Sequence, residues 1–356
     1  MEKIVPTKNS TVLNNPNRNE TLDVLKLIAS YFIVLVHVRF HGTVGIVFAL
    51  LSKFAVPLFF AVSGFFCYQS SIDKVKKKFF RTLKLYIVAT LTYHIFNCIT
   101  LLISGGSSAL LFYLKDLITI RSLIKVYVVN SVISSNHLWF LLSLLYVYMV
   151  QLILLKLKFK EVWIYILALI SLVLGLILGE FLPFFGIQVD SVIIRNFALM
   201  GFPCFTIGMF LKKHEDFFKN INYIYLIISF VLGLVFIALS WYYGGDKDLY
   251  LGALLVMLPL FIFAMKHQNA KFNNNILKWA NCSTNIYIFH MLIYYTIVFI
   301  FEQCGISLTQ MWIKNTLAIS VCILATLLAF IILFIQTRLK QKRKKDSPDV
   351  QERQAS

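Results

Sequence analysis

Apolar runs long enough to cross a bilayer recur about ten times along this chain, and that repetition limits what it can fold into. Hydrocarbon supplies no partners for backbone N–H and C=O groups, so an unbroken apolar run of this length must satisfy them within itself, as a helix. The runs lie near 22–42, 45–69, 83–104, 137–156, 162–182, 192–211, 222–242, 249–266, 281–303 and 311–335. The expected fold is all-α, a polytopic membrane helix bundle of about ten transmembrane helices in one domain. A net charge of +18 would suggest a nucleic-acid groove in a soluble protein. Here 59% of residues are hydrophobic and the basic ones fall mostly between the runs, which is a topology signal and makes nucleic acid a poor partner.

Those basic residues alternate. Lys74, Lys76, Lys77, Lys78 and Arg81 form one group; Lys156, Lys158 and Lys160 the next; then Lys212, Lys213 and Lys219; then Lys266, Lys271 and Lys278; and finally Arg338 to Lys345. The intervening connections carry Glu180, Asp190, Asp246, Asp248 and Glu302. Ten spans put every basic group on one side, together with both termini, and the positive-inside rule makes that side cytoplasmic. Gly105–Asn136 is too interrupted for a span and is expected to face outward with an interfacial helix near 108–128. Residues 1–18 are expected to be a flexible cytosolic tail with no signal-peptide core, 19–336 the membrane domain, and 337–356 a basic, polar cytosolic tail. The expected location is the cell membrane, with lipid as the solvent of the bundle.

Ionisable residues inside such runs are expensive and point to function or to careful burial. Asn19–Phe40 contains Asp23, Lys26 and His37; a helix sets Lys26 and His37 roughly 16 Å apart. Lys26 reads either as a snorkelling cation or as a ligand-holding one, and His37 either as a satisfied core imidazole or as a site. Ser63-Gly64 in the second run favours close helix packing. Arg81 and Lys84 share a face at a membrane boundary. His137 and Trp139 open the fourth run, Arg195 begins the sixth, and Tyr287 and His290 share a face of the ninth. His94 reads as a core histidine. Six cysteines without a CxxC pair read as small buried hydrophobes, and no metal-ligand set is visible.

Several of these stretches resemble the membrane acyltransferase 3 family. Leu22-Asp23, Lys26 and His37 are similar to the opening of its first span, with lysine where the family usually has arginine. Pro57-Leu58-Phe59-Phe60 through Ser63-Gly64-Phe65 is similar to its second-span signature. Arg81 and Lys84 stand at its basic pair, again with one lysine. His137-Leu138-Trp139-Phe140, Phe202-Pro203-Cys204-Phe205 with Gly208, and Ser283 to His290 resemble later segments. The resemblance covers roughly residues 18 to 335. It implies an enzyme that moves an acyl group, acetyl expected, from cytosolic acyl-CoA to a hydroxyl of an extracytoplasmic or lipid-linked glycan. No permanently bound cofactor is implied; acyl-CoA is the donor substrate. The implied roles are His37 as general base or acyl carrier, and Lys26, Arg81 and Lys84 as contacts to the donor phosphates. Asp23, Ser63, His137, Trp139, Arg195, Tyr287 and His290 would line the site.

A second resemblance leads elsewhere. Val126-Tyr127-Val128-Val129-Asn130 before His137, and Lys84-Leu85-Tyr86 before Ala89-Thr90-Leu91, are similar to the membrane half of vancomycin-resistance serine racemases. This chain has no room for the racemase domain. The alternative expectation is therefore a stand-alone membrane component that supplies or transports L-serine beside a separate racemase partner.

Overall fold

The computed structural model describes residues 18–127, 132 and 135–345; of the stretches singled out above, 128–130 and the end of the C-terminal tail lie outside the described residues. The helices, in chain order, are α1 (Glu20–His37), α2 (Gly42–Leu51), α3 (Ala55–Phe65), α4 (Ile72–Leu117), α5 (Ile120–Tyr127), α6 (Trp139–Lys156), α7 (Glu161–Leu176), α8 (Ser191–Ile194), α9 (Phe202–Lys213), α10 (Glu215–Asn220), α11 (Tyr223–Gly244), α12 (Leu251–Lys266), α13 (Asn274–Ala280), α14 (Ser283–Gln303) and α15 (Met311–Lys345). Short 3-10 and π turns join several of them, and there is no strand among the described residues.

Seven helical stretches are long and apolar enough to cross a membrane: Gly42–Phe65, Ile72–Leu117, Asn136–Lys156, Glu161–Phe185, Tyr223–Gly244, Ser283–Gln303 and Met311–Leu339. Length and composition thus support seven spans among the described residues, where about ten were expected. The other three expected segments are helical, and each falls short for a physical reason. α1 carries Glu20, Asp23 and Lys26 within its 18 residues. α12 has only 16 residues. The 192–211 run is divided between α8, a π-turn at Phe197–Gly201, and α9.

The 105–136 region departs from expectation. Gly106 takes φ 67°, ψ −167°, inside what is otherwise one long helix, and reverses the chain there. The Tyr113 hydroxyl lies 2.6 Å from His94 Nδ1 and accepts from Asn97 Nδ2 at 3.2 Å. In a straight helix those residues would be about 24–28 Å apart. Residues 107–117 therefore fold back along the first part of α4 before α5 begins. The region is helical, but it is a hairpin arm and a separate short helix, not one interfacial helix over 108–128. At the other end of the chain, α15 continues through Lys345, so the first part of the expected tail is helical.

Two small residues set the tightest crossing. A Cβ on Gly64 of α3 would lie 1.8 Å from the carbonyl oxygen of Phe205, and one on Gly208 of α9 would lie 1.8 Å from that of Ala61. The two segments singled out separately in the sequence are the two faces of this one backbone-to-backbone contact. Ser63, expected to line the site, donates to the Phe59 carbonyl at 2.9 Å and lies within hydrogen-bonding reach of Tyr148 on α6.

The start of α1 is latched. Asn19 Oδ1 caps the helix by accepting from Leu22 N, and its amide donates to the Ala264 carbonyl. Thr21 donates to the carbonyl of His267, and Glu20 accepts from Phe272 N. These contacts hold the entry of α1 against the end of α12 and the connection to α13.

The sidedness expected from the basic residues has a direct test. A cysteine placed beside Asp246 should react with a membrane-impermeant maleimide on intact cells, and one beside Lys77 should react only after permeabilisation. Equal or reversed labelling would overturn the orientation.

Candidate active site

Histidines from three distant parts of the sequence meet inside the bundle. The ring centres of His37 and His290 are 5.4 Å apart, those of His137 and His290 5.1 Å, and those of His37 and His137 6.2 Å. His37 is the last residue of α1, His137 lies in the 3-10 turn that opens α6, and His290 lies on α14. Helix ends supply two of the three: His37 closes α1, and His137 lies in the turn just before α6.

The three have different duties. His137 is buried and fully engaged: Nδ1 is 2.7 Å from Ser135 Oγ and Nε2 is 3.0 Å from the Ile288 carbonyl. A carbonyl only accepts, so Nε2 carries the hydrogen and Nδ1 accepts from the serine. Tyr287 donates its hydroxyl to the His137 carbonyl. Tyr93 of α4 adds a further tie. Its hydroxyl donates to the Ile288 carbonyl at 2.7 Å and accepts from Leu292 N at 3.0 Å. Those two groups would bond each other in an unperturbed helix, so the tyrosine hydroxyl is inserted into the α14 ladder.

His290 is buried, and its Nδ1 lies 2.7 Å from the Tyr287 carbonyl and 3.3 Å from that of Ile286. By the same logic Nδ1 holds the hydrogen, which leaves a lone pair on Nε2. That atom is buried and has no hydrogen-bond partner among the described residues. An unsatisfied buried acceptor costs about 1–3 kcal/mol. His37 is the reverse case. Its side chain makes no hydrogen bond among the described residues, and it is exposed although it lies beside two buried rings.

Beyond His37 lies a charged rim. Arg39 Nη2 and Lys53 Nζ converge on the two oxygens of Asp246, at 2.9 and 2.6 Å, and Arg195 pairs with Asp248 at 2.5 Å. The charges of Arg195 and Arg39 both reach His37. Burial alone would raise the Asp246 carboxyl, but Lys53 and Arg39 more than offset it and hold it below the usual carboxylate range. Arg195 was the only member of this rim singled out in the sequence as a site residue; Asp246 and Asp248 had entered only as marks of sidedness. Lys53 and Arg39, each a cation within an apolar run, carried a signal that could have found them; Ser135 and Tyr93 carried none.

At the opposite end of α1, Asp23 accepts from Arg18 at 2.5 Å and pairs with Lys26 at 2.6 Å, while Arg18 also donates to Asn281 Oδ1 at 2.9 Å. Lys26 is thus already paired with a carboxylate. Arg81 and Lys84 on α4 are exposed and make no ion pair among the described residues. The structure therefore groups His37, His137, Tyr287 and His290, with Arg195 near by. It keeps Asp23 and Lys26 at the far end of α1, and Arg81 and Lys84 early in α4. Trp139 packs near Phe60, with ring centres 6.3 Å apart. Among the described residues no group of three His, Cys, Asp or Glu side chains is placed to hold a metal ion. The six cysteines are free; Cys67, Cys204 and Cys282 are buried as expected, whereas Cys304 is exposed.

A bundle with spanning-length apolar helices and a histidine cluster in its interior defines a polytopic membrane protein with an internal polar site. The profile of the acyltransferase 3 family, described as an acyltransferase domain, matches residues 19–334, and the chain belongs to that family; with its apolar helices this suggests a membrane acyltransferase. No curated protein and no solved structure gives a significant match.

Proposed function

We propose that the protein transfers an acyl group, acetyl in the first instance, from cytosolic acyl-CoA to a hydroxyl of an extracytoplasmic or lipid-linked glycan. The observation that carries this reading is the exposed, hydrogen-bond-free ring of His37 set beside two buried histidines. On the donor side, Arg81 and Lys84 supply exposed cations for the phosphates of coenzyme A, with Lys26 a weaker contributor because Asp23 already occupies it. On the acceptor side, Arg39 and Arg195 flank the approach to His37.

The chemistry is general-base acyl transfer. His37 takes the proton of the acceptor hydroxyl, the oxygen attacks the thioester carbonyl, the carbon–sulfur bond breaks, and the departing thiolate receives the proton from the imidazolium. A neutral imidazole suits this task because its unperturbed pKa lies close to neutrality. The residues of this chain bind the donor and supply the base; the thioester supplies the reactive acyl group.

The direct test is mass spectrometry of surface glycans from cells with and without the protein. Loss of an acetyl mass increment from one glycan class is the expected result. Unchanged glycans together with lost L-serine uptake would replace this reading with the transport one. The donor half has its own check. Replacing Arg81 and Lys84 together by alanine should weaken acetyl-CoA binding to the purified protein, each lost charge-assisted hydrogen bond costing about 1.5–3 kcal/mol. Unchanged affinity would return the pair to a purely topological role.

A further inference from the structure

We propose that His290 is a positioning residue for His37: its Nε2 accepts the hydrogen of one His37 ring nitrogen, so that the other His37 nitrogen turns its lone pair toward the acceptor hydroxyl. The inference rests on the acyl-transfer reading of the site and adds to it a partner that fixes the tautomer of the base.

Three observations lead here. The carbonyls of Tyr287 and Ile286 hold the hydrogen of His290 on Nδ1, so its Nε2 is an acceptor. That acceptor is buried without a partner among the described residues. Of the polar rings around it, His137 has both nitrogens committed to Ser135 and Ile288, and Tyr287 has its hydroxyl committed to the His137 carbonyl. His37 alone has an uncommitted N–H, and its ring centre is 5.4 Å away. That spacing, less a ring radius at each end, leaves roughly the 3 Å of a hydrogen bond, which a small turn of the His37 ring would complete.

The arrangement does with a neutral imidazole what a carboxylate does behind the histidine of a serine hydrolase. In a water-poor bundle the neutral partner avoids a second buried charge, which would be costly if left unpaired. When His37 takes the acceptor proton, its N–H to His290 becomes charge-assisted and strengthens. When the thiolate takes that proton, the bond relaxes. His290 ends the cycle with the same hydrogen it began with.

Asparagine and glutamine separate the two nitrogens of His290. His290→Asn keeps a polar group near Nδ1 and leaves the Nε2 position empty; His290→Gln places an acceptor oxygen near Nε2. Acetyl transfer from acetyl-CoA, acetyl-CoA affinity and thermal unfolding are measured on each variant of the full chain. The expected result is a fall in kcat of about 100-fold for the asparagine variant, the scale of a misplaced catalytic group. Glutamine should recover a substantial part, with donor affinity unchanged in both. A readout without turnover is carbethoxylation of His37 by diethyl pyrocarbonate, followed by mass spectrometry. His37 should react several-fold more slowly in the asparagine variant than in the unaltered or glutamine protein. Equal behaviour of the two variants, in transfer or in labelling, overturns the proposal. If the unaltered protein transfers no acetyl group while the labelling contrast holds, the histidine pair stands and the acyl-transfer reading falls. If the asparagine variant unfolds, the glutamine variant against the unaltered protein decides by labelling, and slow His37 modification with glutamine overturns the pairing.

Discussion

Acyl transfer by the His37→Ala protein should fall by about 100-fold or more, the range of general-base catalysis, while its thermal stability stays at or above that of the unaltered chain. The second half of that expectation comes from the structure. The His37 ring makes no hydrogen bond among the described residues, and its proposed partner, His290 Nε2, is already without one there, so the deletion breaks no bond that the structure holds. Acetyl-CoA affinity should also survive, because Arg81 and Lys84 lie on a different helix. Transfer, affinity and unfolding are to be measured on one purified preparation. Near-normal transfer in a well-folded variant would remove His37 from the chemistry and favour a transport role.

The largest expected effect on folding lies elsewhere. Gly64→Ala or Gly208→Ala drives a methyl group into a main-chain carbonyl at 1.8 Å, and a main-chain atom cannot swing aside as a long side chain would. Overpacking usually costs about 1–3 kcal/mol and more where the backbone must move, so either change should cost at least the upper part of that range. Separation of α3 from α9 would also disturb Phe59 and Phe60, which pack on Tyr287 and Phe140 beside the histidines. The measurement is the yield of monodisperse protein in detergent and its unfolding temperature. An alanine variant at Gly64 that unfolds with the unaltered protein would show that the crossing is looser than this geometry.

Much of the architecture could be read before any coordinates, because apolar length is a strong signal and each expected run became helix. Length and composition carry the step from apolar run to full span for seven of the ten. A run such as 192–211 reads as continuous in hydropathy, yet Arg195 and Asn196 break it: Arg195 bonds to Asp248, and Asn196 caps the following turn through Ala198 and Leu199. The reversal at Gly106 was illegible for a related reason: one glycine in an apolar stretch is common in membrane helices, and only the pairing of Tyr113 with His94 and Asn97 shows that this one turns the chain. The histidines were legible individually and not as a set. Nothing in the spacing of His37, His137 and His290 says that they touch, since that contact depends on where α1 ends and α6 begins. Tyr93 was invisible because a tyrosine in a spanning helix is ordinary until its hydroxyl is seen inside another helix's ladder.

That inserted hydroxyl makes α4 a measuring rod. Arg81 and Tyr93 belong to one unbroken part of the helix, twelve residues or about 18 Å apart along its axis. Lys26 and His37 on α1 are separated by nearly the same rise. Tyr93 fastens one rod, and His37 ends the other, at the level where the three imidazoles gather. Under the proposed function, the carrier that serves this protein must therefore have its charged end and its reactive carbonyl separated by that same length. A short donor such as acetyl phosphate could occupy the cationic end or reach the imidazoles, but could not do both at once, so selection of the carrier is written into the length of two helices and not into any single contact.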